Sequence, residues 1–109
     1  MRCVLAAERA DVTGRIAELR RELDQLIQAS VGANADDEHD PEGATIAFER
    51  AQLSSLLTAA EQRLGEIDRS AANLQAGRYG QCERCGRAIP AERLAARPSA
   101  TTCVGCASA

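Results

Sequence analysis

Five cysteines occur in the 109-residue chain, and four of them form two pairs, Cys82-x2-Cys85 and Cys103-x2-Cys106, with seventeen residues between the pairs. A two-residue gap lets both sulfurs of a pair turn toward one point. A connecting loop of about fifteen to twenty residues brings the second pair round to complete a tetrahedron, the spacing of a four-thiolate zinc site. Gly86 directly after the first pair and Gly105 inside the second offer backbone freedom for tight turns that aim amides at the sulfurs. Disulfides are the first alternative. The odd count that Cys3 creates and the absence of a secretory signal argue instead for a reducing compartment. Iron held by four thiolates or a redox dithiol remains a further alternative, although no βαβ pattern surrounds either pair. Cys3 reads as an ordinary thiol, because the four paired cysteines already complete a coordination shell.

The elements that must carry this knot follow from composition. Phe48 and Tyr79 are the only aromatic residues, so a chain this short struggles to fill a compact core. Its abundant Ala, Leu, Arg, Glu and Gln favour long helices. The opening MRCVLAA is too short for a signal-peptide core before Glu8, and no apolar run approaches eighteen residues, so the expectation is a soluble cytoplasmic protein with no membrane contact.

Leu5, Val12, Ile16, Leu19, Leu23 and Leu26 recur with heptad spacing, Arg9 taking the one polar position, and predict a helix from about 3 to 30. Residues 31–40, VGANADDEHD, break the period and read as a loop. Asp40 then Pro41 resembles a capped helix start, with Glu42 in the first turn. A second seam of Ile46, Leu53, Leu57, Ala60, Leu64, Ile67, Ala71 and Leu74, with Arg50 at its polar position, predicts a helix from about 41 to 76. Gly77 is placed to end it in the left-handed conformation. Two seamed helices joined by about ten residues pair antiparallel within one chain. The expected architecture is mainly α, a long antiparallel two-helix coiled-coil hairpin over 1–77 followed by a small four-cysteine zinc finger over 78–109. Ile89 and Leu94 are expected to form the small core of the finger, with Pro90 and Pro98 shaping its loop.

Net charge is −3, and it is unevenly spread. Residues 36–42 carry five acids and no base, whereas 77–109 carry five arginines against two acids. Antiparallel pairing would put Asp36, Asp37, Glu38, Asp40 and Glu42 at the end of the hairpin opposite the cysteines. A solvated turn is the plain reading of such a run, and carboxylates aimed at a metal or a basic channel wall are the functional one. His39, the only histidine, sits among them. The chain has no lysine, so every side-chain cation other than histidine is a guanidinium. The arginines of the finger would suit nucleic acid or a protein-docking rim equally, but the aromatics that stack on single strands are missing.

Gly77-x-Tyr79-Gly80-x-Cys82-x2-Cys85-Gly86, then Ile89, Arg93-Leu94, Ala96-Arg97-Pro98 and Cys103-x2-Cys106, resembles the finger of the DksA/TraR zinc-finger family. The resemblance covers roughly residues 36–106 and, more loosely, the first helix. It implies a transcription regulator whose coiled coil enters the secondary channel of bacterial RNA polymerase, so that acidic tip residues act near the catalytic centre. Counting back from the finger, His39, Glu42 and Ala44 fall on the family's Asp-x-x-Asp-x-Ala tip, with Asp40 beside the position that His39 takes. Three residues follow Cys106, where longer members carry a C-terminal helix.

The expected function is therefore a non-catalytic, probe-like regulator, one structural Zn2+ per monomer held by Cys82, Cys85, Cys103 and Cys106, with Asp36, Asp37, Glu38, His39, Asp40, Glu42 and Ala44 meeting the polymerase. The family also implies guanosine tetraphosphate as a candidate effector. The alternatives are a zinc-stabilised DNA-binding or adaptor module acting through the arginines, and a Gre-like assistant of transcript cleavage. No nucleophile with a histidine partner and no phosphate-cradling glycine loop is present, so no independent active site is expected.

Overall fold

The computed structural model describes residues 1–31 and 41–107. Helix α1 spans Arg2–Val31 and α2 spans Pro41–Gln75, followed by the short α3, Ala91–Ala96, and α4, Val104–Ala107. The helices α1 and α2 pair antiparallel and the cysteines gather after them, so the architecture is a two-helix hairpin with a small four-cysteine finger. No strand forms among the described residues; Gln81 and Ala88 make one isolated antiparallel bridge. Asp36, Asp37, Glu38, His39 and Asp40 lie outside the described residues, as does the capping role expected of Asp40. The side chain of Glu42 is likewise not described, whereas Ala44 stands exposed on α2.

The chain divides into two compact units, Met1–Val12 with Gln62–Ala109, and Thr13–Glu61. In the first, Leu5 and Val12 of α1 and Ile67 of α2 are buried, and Arg9 Nε meets Asp68 Oδ1 at 2.8 Å. Arg9 thus fills its polar seam position by pairing outward. Both side chains are about half exposed, so the pair contributes at most about 1 kcal/mol and serves mainly to fix register. In the second unit Ile16 and Leu19 are buried, Leu23, Leu26, Leu53 and Leu57 are half-buried, and Arg20 pairs with Glu61 at 3.2 Å.

The end of α2 follows from Gly77, whose φ of 76° only glycine adopts without strain. Gly77 N–H donates to Leu74 O at 3.2 Å and Arg78 N–H to Asn73 O at 2.7 Å, the paired bonds of a Schellman motif. The chain turns here into the finger.

The inward face of α2 differs from its sequence pattern at one point. Ala71, expected on the seam, is exposed, and Ser70 beside it is buried at 1% exposure. Ser70 Oγ donates to Ser99 O at 2.8 Å, and Ser99 is equally buried. This stretch of α2 packs on the finger rather than on α1 alone, and the finger presents a backbone carbonyl that needs a donor. Removing that donor with Ser70→Ala leaves a buried acceptor unpaired. The expected cost is about 1 to 3 kcal/mol, read as a lowered midpoint in chemical denaturation.

Candidate metal centre

The first cysteine pair sits on a tight backbone turn. Cys82 N–H donates to Arg87 O at 2.8 Å and Gly86 N–H to Cys82 O at 3.0 Å, and Gly86 takes a φ of 75° that closes the turn. The second pair is set by α4. Ala107 N–H donates to Cys103 O at 2.9 Å, which puts Cys106 three residues along and on the same side as Cys103. Gly105 lies inside α4 with no positive φ, so the turn-forming role expected of it is not realised: a helix, not a second tight turn, aims the last sulfur. The two halves are tied by Glu83 N–H to Thr101 O at 2.9 Å.

Side chains reinforce that tie. Arg84 donates to Cys106 O at 3.2 Å and Arg93 Nε to Thr102 O at 2.9 Å. Tyr79 OH donates to Pro98 O at 2.9 Å, and Arg97 pairs with Glu66 of α2. Burial, and secondarily the charge of Glu8, push the Tyr79 hydroxyl above its ordinary pKa and keep it a donor. Ile89 is buried as expected and Leu94 half-buried, its Cδ1 lying close to the Cβ that any residue but glycine would carry at position 80. Gly80 also takes a φ of 86°, a requirement that the spacing did not disclose. Ser70 and Ser99 are the residues of this region that sequence reasoning missed. Ser70 lies one residue off the expected seam, so periodicity carried no signal for it.

All four paired sulfurs converge, each within 4.8 Å of the others, and Cys85 Sγ lies 3.8 Å from Cys103 Sγ. A disulfide requires about 2.05 Å. A tetrahedron with Zn–S bonds of about 2.3 Å has edges of about 3.8 Å, so the spacing fits the ion and not the bridge. Cys82 is buried, Cys103 and Cys106 half-buried and Cys85 exposed, while Cys3 stands exposed on α1 outside the cluster.

The thiols also show why an ion belongs there. Backbone N–H donation from Cys85 first, then from Cys103, outweighs desolvation and holds the Cys82 thiol down at about 6. Cys106 is pushed up to about 12, first by its side-chain hydrogen bond to Cys103 and then by that to Cys82, bonds that favour the protonated thiol. Without a cation the four cannot ionise together. Zn2+ removes that conflict, and Cys82, Cys85, Cys103 and Cys106 would supply a closed shell with no open position for substrate, the mark of a structural site.

Residues 77–109 match the family model of the prokaryotic DksA/TraR C4-type zinc finger. The segment is a DksA/TraR finger, and its zinc is structural. The DksA/TraR resemblance extends along the hairpin. Transcription factor DksA2 of Pseudomonas aeruginosa is similar in structure, with a TM-score of 0.74 and 27% identity over 98% of this chain and 77% of that one. Two bacterial relatives of undefined role are similar in sequence. YteA of Bacillus subtilis is 39% identical over 69 residues, and a protein of Aquifex aeolicus is 48% identical over 44. Those stretches are 63% and 40% of this chain but 29% and 30% of the relatives, so the chain spans under a third of their length.

The metal contribution is directly measurable. Purified protein is expected to carry one zinc per chain by elemental analysis. Protons compete for the same thiolates, so zinc is held at neutral pH and released as pH falls. Chelation at pH 7, or Cys106→Ser, is expected to abolish cooperative melting of the finger, because a structural zinc contributes an apparent 10 kcal/mol or so in small domains.

Proposed function

We propose that this chain is a non-catalytic regulator of transcription that binds bacterial RNA polymerase in the cytoplasm. Its hairpin enters the secondary channel, and the zinc ion held by Cys82, Cys85, Cys103 and Cys106 braces the finger at the hairpin's base. Asp36, Asp37, Glu38, His39, Asp40, Glu42 and Ala44 form the segment that acts inside the channel. The observation that carries this reading is the match to a transcription factor over 98% of the chain. It is supported by the finger family and by a closed metal shell that leaves no place for a substrate. No membrane-crossing helix competes with it, since no described helix is long and apolar enough.

The finger arginines give less support to DNA binding than their number suggests. Arg84 and Arg93 donate to backbone carbonyls and Arg97 pairs with Glu66, which leaves Arg78 and Arg87 as the finger arginines whose guanidinium groups take no such part in the finger's framework. Reversal of Arg84 would damage the finger itself. Arg78→Glu with Arg87→Glu is the informative pair.

The test is binding of the purified chain to core polymerase in competition with another secondary-channel factor. A complex at micromolar concentration or tighter is expected, retained in the Arg78 and Arg87 double variant. Neutralising Asp36, Asp37, Glu38 and Asp40 to Asn is expected to spare the complex and abolish the effect on initiation. Absence of a complex at micromolar concentration removes the proposal.

A further inference from the structure

The first cysteine pair meets α2 across a gap. A recess of about 420 Å3, lined by Asn73, Arg78, Gln81, Cys82, Glu83 and Gly86, lies between the end of α2 and the tight turn that carries Cys82. No aliphatic side chain lines it, so packing does not fix that turn against the helix. Glu83, the first residue inside the pair, crosses instead. Its Oε1 accepts from Asn73 Nδ2 at 3.2 Å, and its Oε2 faces Arg69 Nε at 3.6 Å. The two partners lie four residues apart, on one face of α2, and engage both oxygens of the carboxylate. Asn73 is itself fixed, because its carbonyl accepts from Arg78 N–H at 2.7 Å in the turn that ends the helix. Glu83 is held equally on the metal side, where its backbone N–H donates to Thr101 O at 2.9 Å. The amides donating to the Cys82 sulfur come first from Cys85, then from Cys103 and Arg84, and Arg84 and Cys85 follow Glu83 directly in the chain.

We propose that Arg69 and Asn73, acting through Glu83, are positioning residues of the metal centre, so that α2 sets how tightly the four cysteines hold zinc. Groups that orient a ligating segment from outside the coordination shell change metal affinity by roughly 10- to 100-fold when removed. The side chains of Arg69 and Glu83 are 55% and 37% exposed, which puts the effect at the lower end of that range. Charge acts in the same direction as geometry. Four thiolates outnumber the charge of one Zn2+, and an unpaired carboxylate next to Cys82 would add to the excess; Arg69 offsets it. The other ties between finger and α2, Ser70 to Ser99 O and Arg97 to Glu66, reach the second half of the finger and touch neither residue inside the first pair.

The experiment titrates the full chain with Zn2+ against a chromophoric chelator, in Arg69→Ala, Asn73→Ala and Glu83→Ala and in each α2 variant combined with Glu83→Ala. Glu83→Ala is expected to weaken zinc binding about tenfold. Arg69→Ala and Asn73→Ala are each expected to weaken it about threefold, and neither to weaken it further once Glu83 is alanine, since residues acting through one partner are not additive. Glu83→Gln, which keeps an acceptor for Asn73, is expected to recover part of the affinity lost in Glu83→Ala. Co2+ bound in place of Zn2+ reports the arrangement of the sulfurs. Its d–d absorption is expected to change in Asn73→Ala and to stay as in the wild type in Ser70→Ala, which loosens the finger on α2 without touching Glu83. Wild-type affinity in Glu83→Ala overturns the inference. Additive losses in the combined variants overturn it too, because Arg69 and Asn73 would then act independently of Glu83. A Co2+ spectrum altered as much by Ser70→Ala as by Asn73→Ala does the same, reducing the clamp to general support of the fold.

Discussion

Four sulfurs held within 4.8 Å of one another are stable as thiolates only around a cation, and the finger is organised to impose that condition. Its buried set is small: Cys82, Ile89 and Ala100 with the polar Ser99 and Thr101. So few side chains cannot offset the entropy of ordering about thirty residues. The amides around Cys82 favour its thiolate before any ion arrives, whereas Cys106 resists ionisation until one does. Metal binding and ordering of the finger are therefore thermodynamically coupled, because the ion needs all four sulfurs deprotonated and brought together.

The finger is tied to α2 by polar bonds. Ser99 and Ala100 are buried next to the second cysteine pair in sequence, and Ser99 O accepts from Ser70 in the middle of α2's last turns. Arg69 and Asn73, one turn apart on α2 and flanking Ser70, both reach Glu83 between the first two cysteines. A buried serine bond is directional where an aliphatic contact is not, so it sets the finger's rotation about the helix as well as its distance. The Schellman turn at Gly77 makes this possible by reversing the chain within two residues of the helix end.

The hairpin, its helix limits and the four-sulfur knot were legible because each follows a short-range rule. Heptad spacing marks Leu5, Val12, Ile16 and Leu19, all of them buried; Pro41 opens α2, and CxxC spacing brings the sulfurs together. The errors arise where tertiary contact overrides periodicity. Ser70, beside the seam residue Ala71, is buried because the finger packs there and offers a carbonyl that needs a donor, and no heptad pattern encodes the demand of a segment thirty residues away. Gly105 looked like a turn residue because CxxC pairs often sit on turns, yet the residues from Val104 form a helical turn that gives the same sulfur geometry by another route. Phe48 lies off both seams, and heptad spacing, which marks buried positions, says nothing of an exposed one.

Charge was legible as a count but not as a disposition. Five arginines against two acids make residues 77–109 look like a basic patch, the ordinary signature of a phosphate-binding surface. Arg84 and Arg93 instead close the loop between the two cysteine pairs by donating to Cys106 O and Thr102 O, and Arg97 reaches back to Glu66. A guanidinium suits this work: its planar donors meet a carbonyl at a fixed angle, and a flexible ammonium would lose more freedom for each bond made. The absence of lysine is then consistent with arginines used as struts, and the finger's formal surplus of positive charge overstates what it can offer to a polyanion.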